Sequence, residues 1–287
     1  MAKTIKNYKR RIIQLVTLIL YNHNFLGFKN SQIYQGPLKN FCAPGLNCYS
    51  CPGAVFSCPL GSFQSFLAAR MRTSILERIP IYVLGFLILF GALLGRVVCG
   101  FLCPFGLIQE LLYKIKTKKL KKNKFTRALS YLRYIIILVF VILIPLTIYA
   151  PGFCKFICPV GTLEAGIPLV SSVASLRGAI GFIFFHKVSI LILILVFSIF
   201  IHRVFCRFIC PLGLFYGFFN KISIFGIKVE NSKCINCNAC EKFCLMDINK
   251  PGDEQCIHCG KCIDICPHGA IKWKRFCLSE NKLSNKM

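Results

Sequence analysis

The chain has 287 residues, of which 55% are hydrophobic, and its 36 lysines and arginines against 10 acidic residues give a formal net charge of +26. A mean hydropathy of +0.62 argues against an ordinary soluble domain. The charge does not indicate nucleic-acid binding, because the basic residues cluster beside apolar segments, where they set membrane topology and contact anionic lipid.

Four apolar segments predict membrane-spanning helices: residues 12–28, 79–98, 131–149 and 188–201, the last with an extension back to residue 180. For any one of them, the alternative is a buried helix of a large soluble core. Taken together, with so few charges, they favour the bilayer. We therefore expect an α-helical polytopic membrane protein with about four transmembrane helices, located in a prokaryotic cytoplasmic membrane.

Basic residues predict the orientation of these helices. Eight of the 14 positions from 114 to 127 are lysine or arginine, which places that loop in the cytoplasm. Lys6, Lys9, Arg10 and Arg11 place the amino terminus on the same side, and the last predicted span returns the carboxy terminus to it. The first segment lacks a small-residue cleavage site, so we interpret it as an uncleaved anchor and not as a signal peptide.

A repeated Cys-x3-Cys-Pro-x-Gly unit accompanies the apolar segments. Complete copies begin at Cys99, Cys154 and Cys206, about 50 residues apart, and a degenerate copy begins at Cys58. The repetition predicts an internally duplicated helical bundle. Cysteines four residues apart lie on one face of a helical turn, and the proline and glycine turn unpaired backbone N–H groups toward sulfur. Each unit therefore supplies two thiolates, which is half of a cluster site.

The predicted topology combines these units into two sites. An inner site takes Cys99, Cys103, Cys206 and Cys210 as metal ligands. An outer site draws its ligands from Cys48, Cys51, Cys58, Cys154 and Cys158. Disulfides on the outer face are an alternative, because that compartment is oxidising when oxygen is present. Simple packing of the cysteines fits the strict Cys-Pro-x-Gly context poorly.

Two further blocks of four cysteines lie near the carboxy terminus, with gaps of two, two and three residues in each block. This spacing is typical of bacterial-type ferredoxins with two [4Fe-4S] clusters, in which the fourth cysteine of each block ligates the other cluster. A zinc ribbon fits it poorly, because zinc closes its site with four ligands. One predicted cluster takes Cys234, Cys237, Cys240 and Cys266, and the other takes Cys256, Cys259, Cys262 and Cys244.

The whole chain resembles the membrane polyferredoxin family represented by NapH and by the carboxy-terminal half of NosR. The apolar segments, the Cys-x3-Cys-Pro units and the double ferredoxin block carry this resemblance. It implies a transmembrane helical domain over residues 1–228, a small α+β ferredoxin-like domain over residues 229–275 and a polar tail over residues 276–287. The chain differs from NapH in its third complete unit and in the extra cysteine block at residues 47–53.

The resemblance also implies a function, namely passing electrons between a cytoplasmic or quinone donor and a partner redox protein. We expect two carboxy-terminal [4Fe-4S] clusters, one or two further iron–sulfur clusters in the membrane domain and a path across the membrane. Quinone is a candidate ligand, and no residue is predicted to be catalytic. Two alternatives stay open. One is a membrane metal-handling or assembly factor for copper or sulfur that uses ferredoxin electrons. The other is a redox-sensing membrane regulator.

Several isolated polar residues have ordinary interpretations. Glu110 and Glu164 lie beyond the cysteine units, and we favour ion pairs with Lys114 and Lys155 over a role in accepting quinol protons. His186 and His202 are interpreted as interfacial histidines in preference to haem ligands. Cys277 has no partner in any of these arrangements and is expected to be a small buried hydrophobe.

Overall fold

The computed structural model describes residues 2–30, 32–69, 80–120, 123–178 and 180–274. The first half contains helices α1 (Ala2–Tyr21), α2 (Phe25–Asn30), α3 (Pro59–Leu67), α4 (Ile81–Leu94), α5 (Pro104–Leu112), α6 (Lys124–Leu129), α7 (Leu132–Ile136) and α8 (Ile144–Thr147). The second half contains α9 (Gly152–Phe156), α10 (Pro159–Gly161), α11 (Ile167–Ser172), α12 (Ala174–Arg177), α13 (Phe182–Phe200), α14 (Val204–Phe208), α15 (Pro211–Phe219) and α16 (Ala239–Phe243). Cys277 lies outside the described residues.

Short segments of other helical types join some of these helices. π-Helical turns cover Val98–Leu102, Ile137–Leu143 and Thr162–Gly166, and 3₁₀ turns cover Pro37–Asn40 and Asn231–Lys233. The π segment Ile137–Leu143 links α7 to α8 and makes one continuous helical stretch of them.

Two helical stretches of the described chain are long and apolar enough to cross a membrane. They are Thr126–Thr147 and Phe182–Phe200, with mean hydropathies of 2.4 and 2.5. Of the most apolar 18 residues in each stretch, only 28% and 17% are buried inside the protein. A core helix of a soluble protein would be mostly buried, so this exposure agrees with helices that face lipid. The number of membrane crossings and the orientation of the termini stay predictions.

The first two predicted spans differ from the helices in the structure. α1 ends at Tyr21, before the polar Asn22, so no continuous helix covers the segment predicted to extend to residue 28. α4 ends at Leu94, because Gly95 has a φ of +51° that a helix does not accommodate. The chain beyond α15 then pairs with the end of α4, where Ile224 donates a hydrogen bond to the carbonyl of Ala92 (3.0 Å).

The hydrophobic core lies between the cysteine-bearing units. Phe105 packs edge-to-face on Phe205 with ring centroids 5.2 Å apart, and Phe153 lies 6.4 Å from the same ring. All three side chains are buried, and two of them directly precede the first cysteine of a unit. The units at Cys154 and Cys206 therefore pack against one another through equivalent phenylalanines, Phe153 and Phe205.

A two-stranded antiparallel sheet closes the cysteine-rich tail. Strand β1 (Gly226–Val229) pairs with β2 (Ile271–Lys274), with Val229 opposite Ile271 in the register. Because β1 precedes Cys234 and β2 follows Cys266, the pairing brings together the two ends of the segment that holds the eight predicted ligands. The division into domains at residue 228 stays a prediction.

Candidate metal centres

The eight cysteines of the tail surround two cavities. Cys234, Cys237, Cys240 and Cys266 line a cavity of about 50 Å³, which we call the first tail site. Cys244, Cys256, Cys259 and Cys262 line a cavity of about 130 Å³, the second tail site. Each cavity takes three cysteines from one sequence block and the fourth from the other block. Their role as ligands stays a prediction.

The outer site is the largest of these cavities, at about 380 Å³, and Cys48, Cys58, Cys154 and Cys158 line it. Cys48 supplies the thiol that the degenerate unit at Cys58 lacks. Cys51 does not line the cavity; it is buried behind the cavity wall, packed with Ala54 and with Ala165, which does line the cavity. The cysteines of the described chain are not joined in disulfides.

The inner site brings together the two units predicted to share it. Cys99, Cys103, Cys206 and Cys210 are between 3% and 7% exposed, and Gln109, which follows the first unit, donates a hydrogen bond to the sulfur of Cys206 in the second unit (3.3 Å). Burial, followed by negative charge on Cys206 and Cys99, raises the pKa of Cys103 to about 12. The thiols are therefore close enough to disfavour each other's ionisation, and cationic iron bound among them would reverse that cost.

The Cys-Pro-x-Gly sequence has a local structural reason. In every copy, the cysteine is the N-cap of a helix, with the proline in the first turn, as at Cys58, Cys103, Cys158 and Cys210. The backbone N–H of the motif glycine donates to the sulfur of Cys158 at 3.4 Å and to that of Cys210 at 3.3 Å. Each such sulfur lies at a helix N-terminus, where partial positive charge favours a thiolate.

Two glutamines hold the first cysteine of a partner unit. Gln64 donates to the sulfur of Cys154 (3.6 Å), and its oxygen accepts the backbone N–H of the preceding residue (2.9 Å). Gln109 does the same at Cys206, with distances of 3.3 Å and 3.0 Å. Both glutamines lie six residues after a motif cysteine, and that shared offset was the sequence signal for an equivalent role.

Two fully buried arginines brace the inner site in a reciprocal way. Arg96 lies three residues before Cys99 and donates to the carbonyl of Cys206 (3.1 Å). Arg203 lies three residues before Cys206 and donates to the carbonyl of Cys99 (2.5 Å). The outer unit has Pro151 at the equivalent position. The inner site therefore lies between two guanidinium groups that the outer site lacks.

The predicted ion pair between Glu110 and Lys114 is wrong. Glu110 is 5% exposed and pairs instead with Arg10 of α1 and with Arg203, whose Nη2 lies 2.8 Å from its Oε1. Burial opposes ionisation of Glu110, but Arg203 and Arg10 outweigh it and lower its pKa to about 2. His202 is buried beside this carboxylate, with its Nε2 at 3.8 Å, and its position at a membrane interface stays a prediction.

Glu164 also has a partner other than the predicted Lys155. It accepts a hydrogen bond from the backbone N–H of Cys48 at 2.8 Å, next to the outer site. Burial raises its pKa to about 7, and the hydrogen bond from Cys48 opposes this only in part. His186 is exposed and stacks on Phe182 at 6.2 Å, in agreement with its interfacial interpretation.

The tail is held against the helical domain by buried polar contacts. Arg207 forms an ion pair with Asp247, and Arg133 pairs with Glu254 at 3.1 Å. Asn220 donates to the carbonyl of Cys256 at 2.8 Å. The second tail site therefore lies at the contact between the tail and the helical domain.

Gly100 is a point of close approach between the inner unit and the loop of the second tail site. A Cβ atom at this position would overlap the carbonyl oxygen of Ile257, which lies in the loop between Cys256 and Cys259. The other two complete units carry Lys155 and Arg207 at the equivalent position. A glycine is thus required where the ligand loop of the tail touches the inner unit.

Replacing Gly100 by alanine is expected to weaken this junction by about 1–3 kcal/mol, because the backbone of the tail must shift to relieve the overlap. Proteolysis of the folded protein, followed by mass spectrometry of the tail, measures the effect as faster cleavage. Gly85→Ala is the matched control, since nothing lies within 4 Å of its added Cβ. Equal cleavage of the two variants would contradict the close contact.

The cavities fit multi-iron clusters by the chemistry of their walls. Each has four cysteine sulfurs around open volume, and thiolates are the ligands of [4Fe-4S] clusters. Across the described residues, no group of three His, Cys, Asp or Glu side chains has the spacing needed to hold a single metal ion. The glutamine and glycine N–H groups that point at sulfur are the hydrogen-bond donors that tune such clusters.

Family comparisons match the cysteine units. A 4Fe-4S binding domain family matches residues 79–123, 132–168 and 184–230, each of which holds one complete Cys-x3-Cys-Pro unit. A second 4Fe-4S binding domain family matches residues 253–272, within the tail. No solved structure matches the chain.

Several curated proteins are similar over most of the chain. The uncharacterized proteins MJ0750 and MJ0749 of Methanocaldococcus jannaschii are 33% and 30% identical, covering 75% and 78% of this chain and 85% and 80% of their own lengths. The ferredoxin-type protein NapH of Haemophilus influenzae is 28% identical, covering 75% of this chain and 74% of its own.

Proposed function

The chain belongs to the NapH- and NosR-like polyferredoxin family with 4Fe-4S binding domains, and from this premise we propose that it relays electrons through four [4Fe-4S] clusters in a membrane. The expected resemblance to this family is confirmed, as is the iron–sulfur, electron-transport character it implies. The proposal for this chain rests chiefly on one observation: twelve of its cysteines line three cavities in sets of four, and the four inner cysteines are buried in two units that Arg96 and Arg203 link to each other.

Each cluster, when bound, accepts and releases one electron. The residues of the chain determine where the clusters lie and what surrounds them. When all four cysteines of a set bind iron, no thiol of that set is available for other chemistry. The polar groups around the sets donate hydrogen bonds to sulfur or to backbone carbonyls. This arrangement suits outer-sphere electron transfer, in which no bond forms or breaks.

The contacts support an order for the four sites. The first and second tail sites share interleaved ligand blocks, and the second tail site touches the inner site at Gly100. The inner and outer units meet through the rings of Phe205 and Phe153 at 6.4 Å. Electron transfer then follows the sequence first tail site, second tail site, inner site and outer site, in either direction. Because the inner and outer units are neighbours, the 30 Å of hydrocarbon need not be crossed in one step.

The membrane location rests on two apolar helices, on their outward exposure and on the basic loop at residues 114–127. We propose that both termini and the tail lie in the cytoplasm, with the outer site toward the opposite face. Electrons would then move between a cytoplasmic or quinone donor and a partner redox protein across part of the bilayer.

Iron content tests the number of clusters. Anaerobically prepared wild-type protein is expected to hold about 16 iron atoms and as many acid-labile sulfides per chain. Cys99→Ala/Cys206→Ala is expected to lose about four of each, because it removes two of the four ligands of the inner site. Cys51→Ala is the control, since Cys51 is as buried as the inner cysteines but lines no cluster cavity.

Three results of this measurement would contradict the proposal. The first is equal iron content in the wild type and the inner-site variant, which would remove the inner cluster. The second is a loss of iron in Cys51→Ala as large as that in the double variant. The third is about eight irons accompanied by tightly bound copper, which would favour the metal-handling alternative over electron relay.

A further inference from the structure

The four proposed sites differ sharply in how far a soluble protein can reach them. Cys237 of the first tail site is exposed, and the other three thiols of that site are partly exposed. In the second tail site, Cys256 and Cys262 are 6% and 8% exposed, and the loop between Cys256 and Cys259 packs against Gly100 of the helical domain. The inner cysteines are buried as well. Cys244 and Cys259 of the second tail site are partly exposed, but among the described cysteines Cys237 is the one that is exposed and not merely partly so. The first tail site is therefore the one that a soluble redox protein can approach most closely.

The wall of the first tail site carries positive charge. Lys233 and Lys250 line the cavity, and among the described residues no acidic side chain does so. The neighbouring carboxylate Glu230 is shared between Lys233 (3.4 Å) and Lys272 (2.9 Å), so it leaves a surplus of positive charge on this face. Lys233 and Lys272 are more than half exposed, which lets their charge act on an approaching protein.

An exposed apolar side chain lines the same cavity as the two lysines. Ile235, between Cys234 and Cys237, is 62% exposed. Asn236 and Asn238 on either side of Cys237 adopt left-handed backbone conformations, with φ of 53° and 55°, and turn the loop outward. An exposed apolar side chain beside a surplus of positive charge is suited to brief, oriented encounters, in which charge steers the approach and a small contact permits rapid release.

We propose that the surface formed by Lys233, Ile235 and Lys250, called the carrier surface, docks a soluble one-electron carrier protein whose own redox group lies within an acidic face. This inference rests on the proposed function and adds to it the kind of partner and the place where it binds. In the encounter, the reduced carrier loses one electron and the cluster of the first tail site gains it. No bond forms or breaks, and the reverse transfer uses the same surface.

Stopped-flow reduction of the full-length, cluster-loaded protein in detergent tests the carrier surface. The probe is a reduced bacterial ferredoxin of acidic surface at low ionic strength. Lys233→Glu/Lys250→Glu is expected to lower the second-order rate constant at least about tenfold, and added salt is expected to slow the wild type but not the variant. Lys233→Gln/Lys250→Gln, which removes the charge without reversing it, is expected to lie between them.

The matched control reverses two lysines elsewhere on the predicted cytoplasmic side. Lys116→Glu/Lys118→Glu changes the net charge by the same amount at exposed positions of the basic loop and is expected to react with the ferredoxin like the wild type. Equal rates for wild type and Lys233→Glu/Lys250→Glu would overturn the carrier surface. A rate loss of the same size in the control would also overturn it, because net charge and not location would then explain the effect.

Dithionite reduction separates this inference from the proposed function. All variants are expected to show the same cluster bleaching with dithionite, which needs no protein docking. A wild-type protein whose iron is not reduced by dithionite would contradict electron relay itself. If dithionite reduces all variants normally and the lysine substitutions leave the rate of reduction by ferredoxin unchanged, only the carrier surface is contradicted.

Discussion

Replacing Arg96 by glutamine is expected to lower the reduction potential of the inner cluster by on the order of 100 mV and to leave the other clusters nearly unchanged. Arg96 is fully buried and donates to the carbonyl of Cys206, while its remaining hydrogen bonds go to neutral oxygens of Glu254 and Gln255. A reduced cluster carries one more negative charge than an oxidised one, so a nearby cation stabilises the reduced form.

The magnitude follows from the interaction of two unit charges a few ångströms apart. At an effective dielectric constant of about 20, that interaction is worth about 2–4 kcal/mol. For a one-electron couple, 59 mV corresponds to a tenfold change in the equilibrium constant. Loss of the guanidinium charge therefore shifts the potential by on the order of 100 mV.

A redox titration monitored by electron paramagnetic resonance measures the shift. Arg96→Lys keeps the positive charge, so its inner cluster is expected to have a potential close to that of the wild type. It does not keep the hydrogen bonds of Arg96 to Glu254 and Gln255 of the tail. Equal shifts in Arg96→Gln and Arg96→Lys would show that hydrogen bonding, and not charge, sets the potential. Arg203→Gln is less informative, because Arg203 also neutralises Glu110.

The sequence predicted which residue types form the sites better than it predicted what surrounds them. Cysteine spacing alone gave the sets that line the two tail cavities, because the pattern constrains local loops. It did not distinguish Cys48 from Cys51 as a lining residue of the outer cavity, because the two lie three residues apart in a tight turn and only the packing of α9 and α10 separates them.

The supporting residues escaped sequence reasoning for a different reason. Their partners lie far away in the chain: Gln109 reaches Cys206, and Arg203 reaches Cys99. Such contacts follow from the packing of one repeat on another, which spacing within a single repeat does not report. A comparison of repeats did hold signals, namely glutamine six residues after Cys58 and Cys103 and arginine three residues before Cys99 and Cys206.

Local rules failed most clearly at Glu110. One-turn spacing on a helix favoured Lys114 as its partner, since such pairs are common on exposed surfaces. A buried carboxylate, however, needs positively charged partners that offset the cost of removing its charge from water. Two guanidinium groups from elsewhere in the chain, those of Arg10 and Arg203, are these partners. The arrangement links α1, α5 and the inner site through one carboxylate.

Glu110→Gln is accordingly expected to destabilise the folded protein by about 3–5 kcal/mol, because it leaves Arg10 and Arg203 buried beside a neutral amide. This corresponds to a drop in the midpoint of thermal unfolding on the order of 10 °C. Glu230→Gln is the matched control. It removes the carboxylate from two ion pairs whose lysines are more than half exposed, and its unfolding midpoint is expected to stay near that of the wild type.

The effect of Glu110 also depends on pH in a defined direction. Its folded-state pKa of about 2 lies below the ordinary value of 4.5, so ionised Glu110 stabilises the folded protein fully above pH 4.5 and loses this effect as the pH falls toward 2. The difference in unfolding midpoint between wild type and Glu110→Gln is therefore expected to be constant near neutral pH and to shrink below pH 4.5. A difference that persists unchanged at pH 3 would show that packing of the side chain, and not its charge, holds α1 against the inner site.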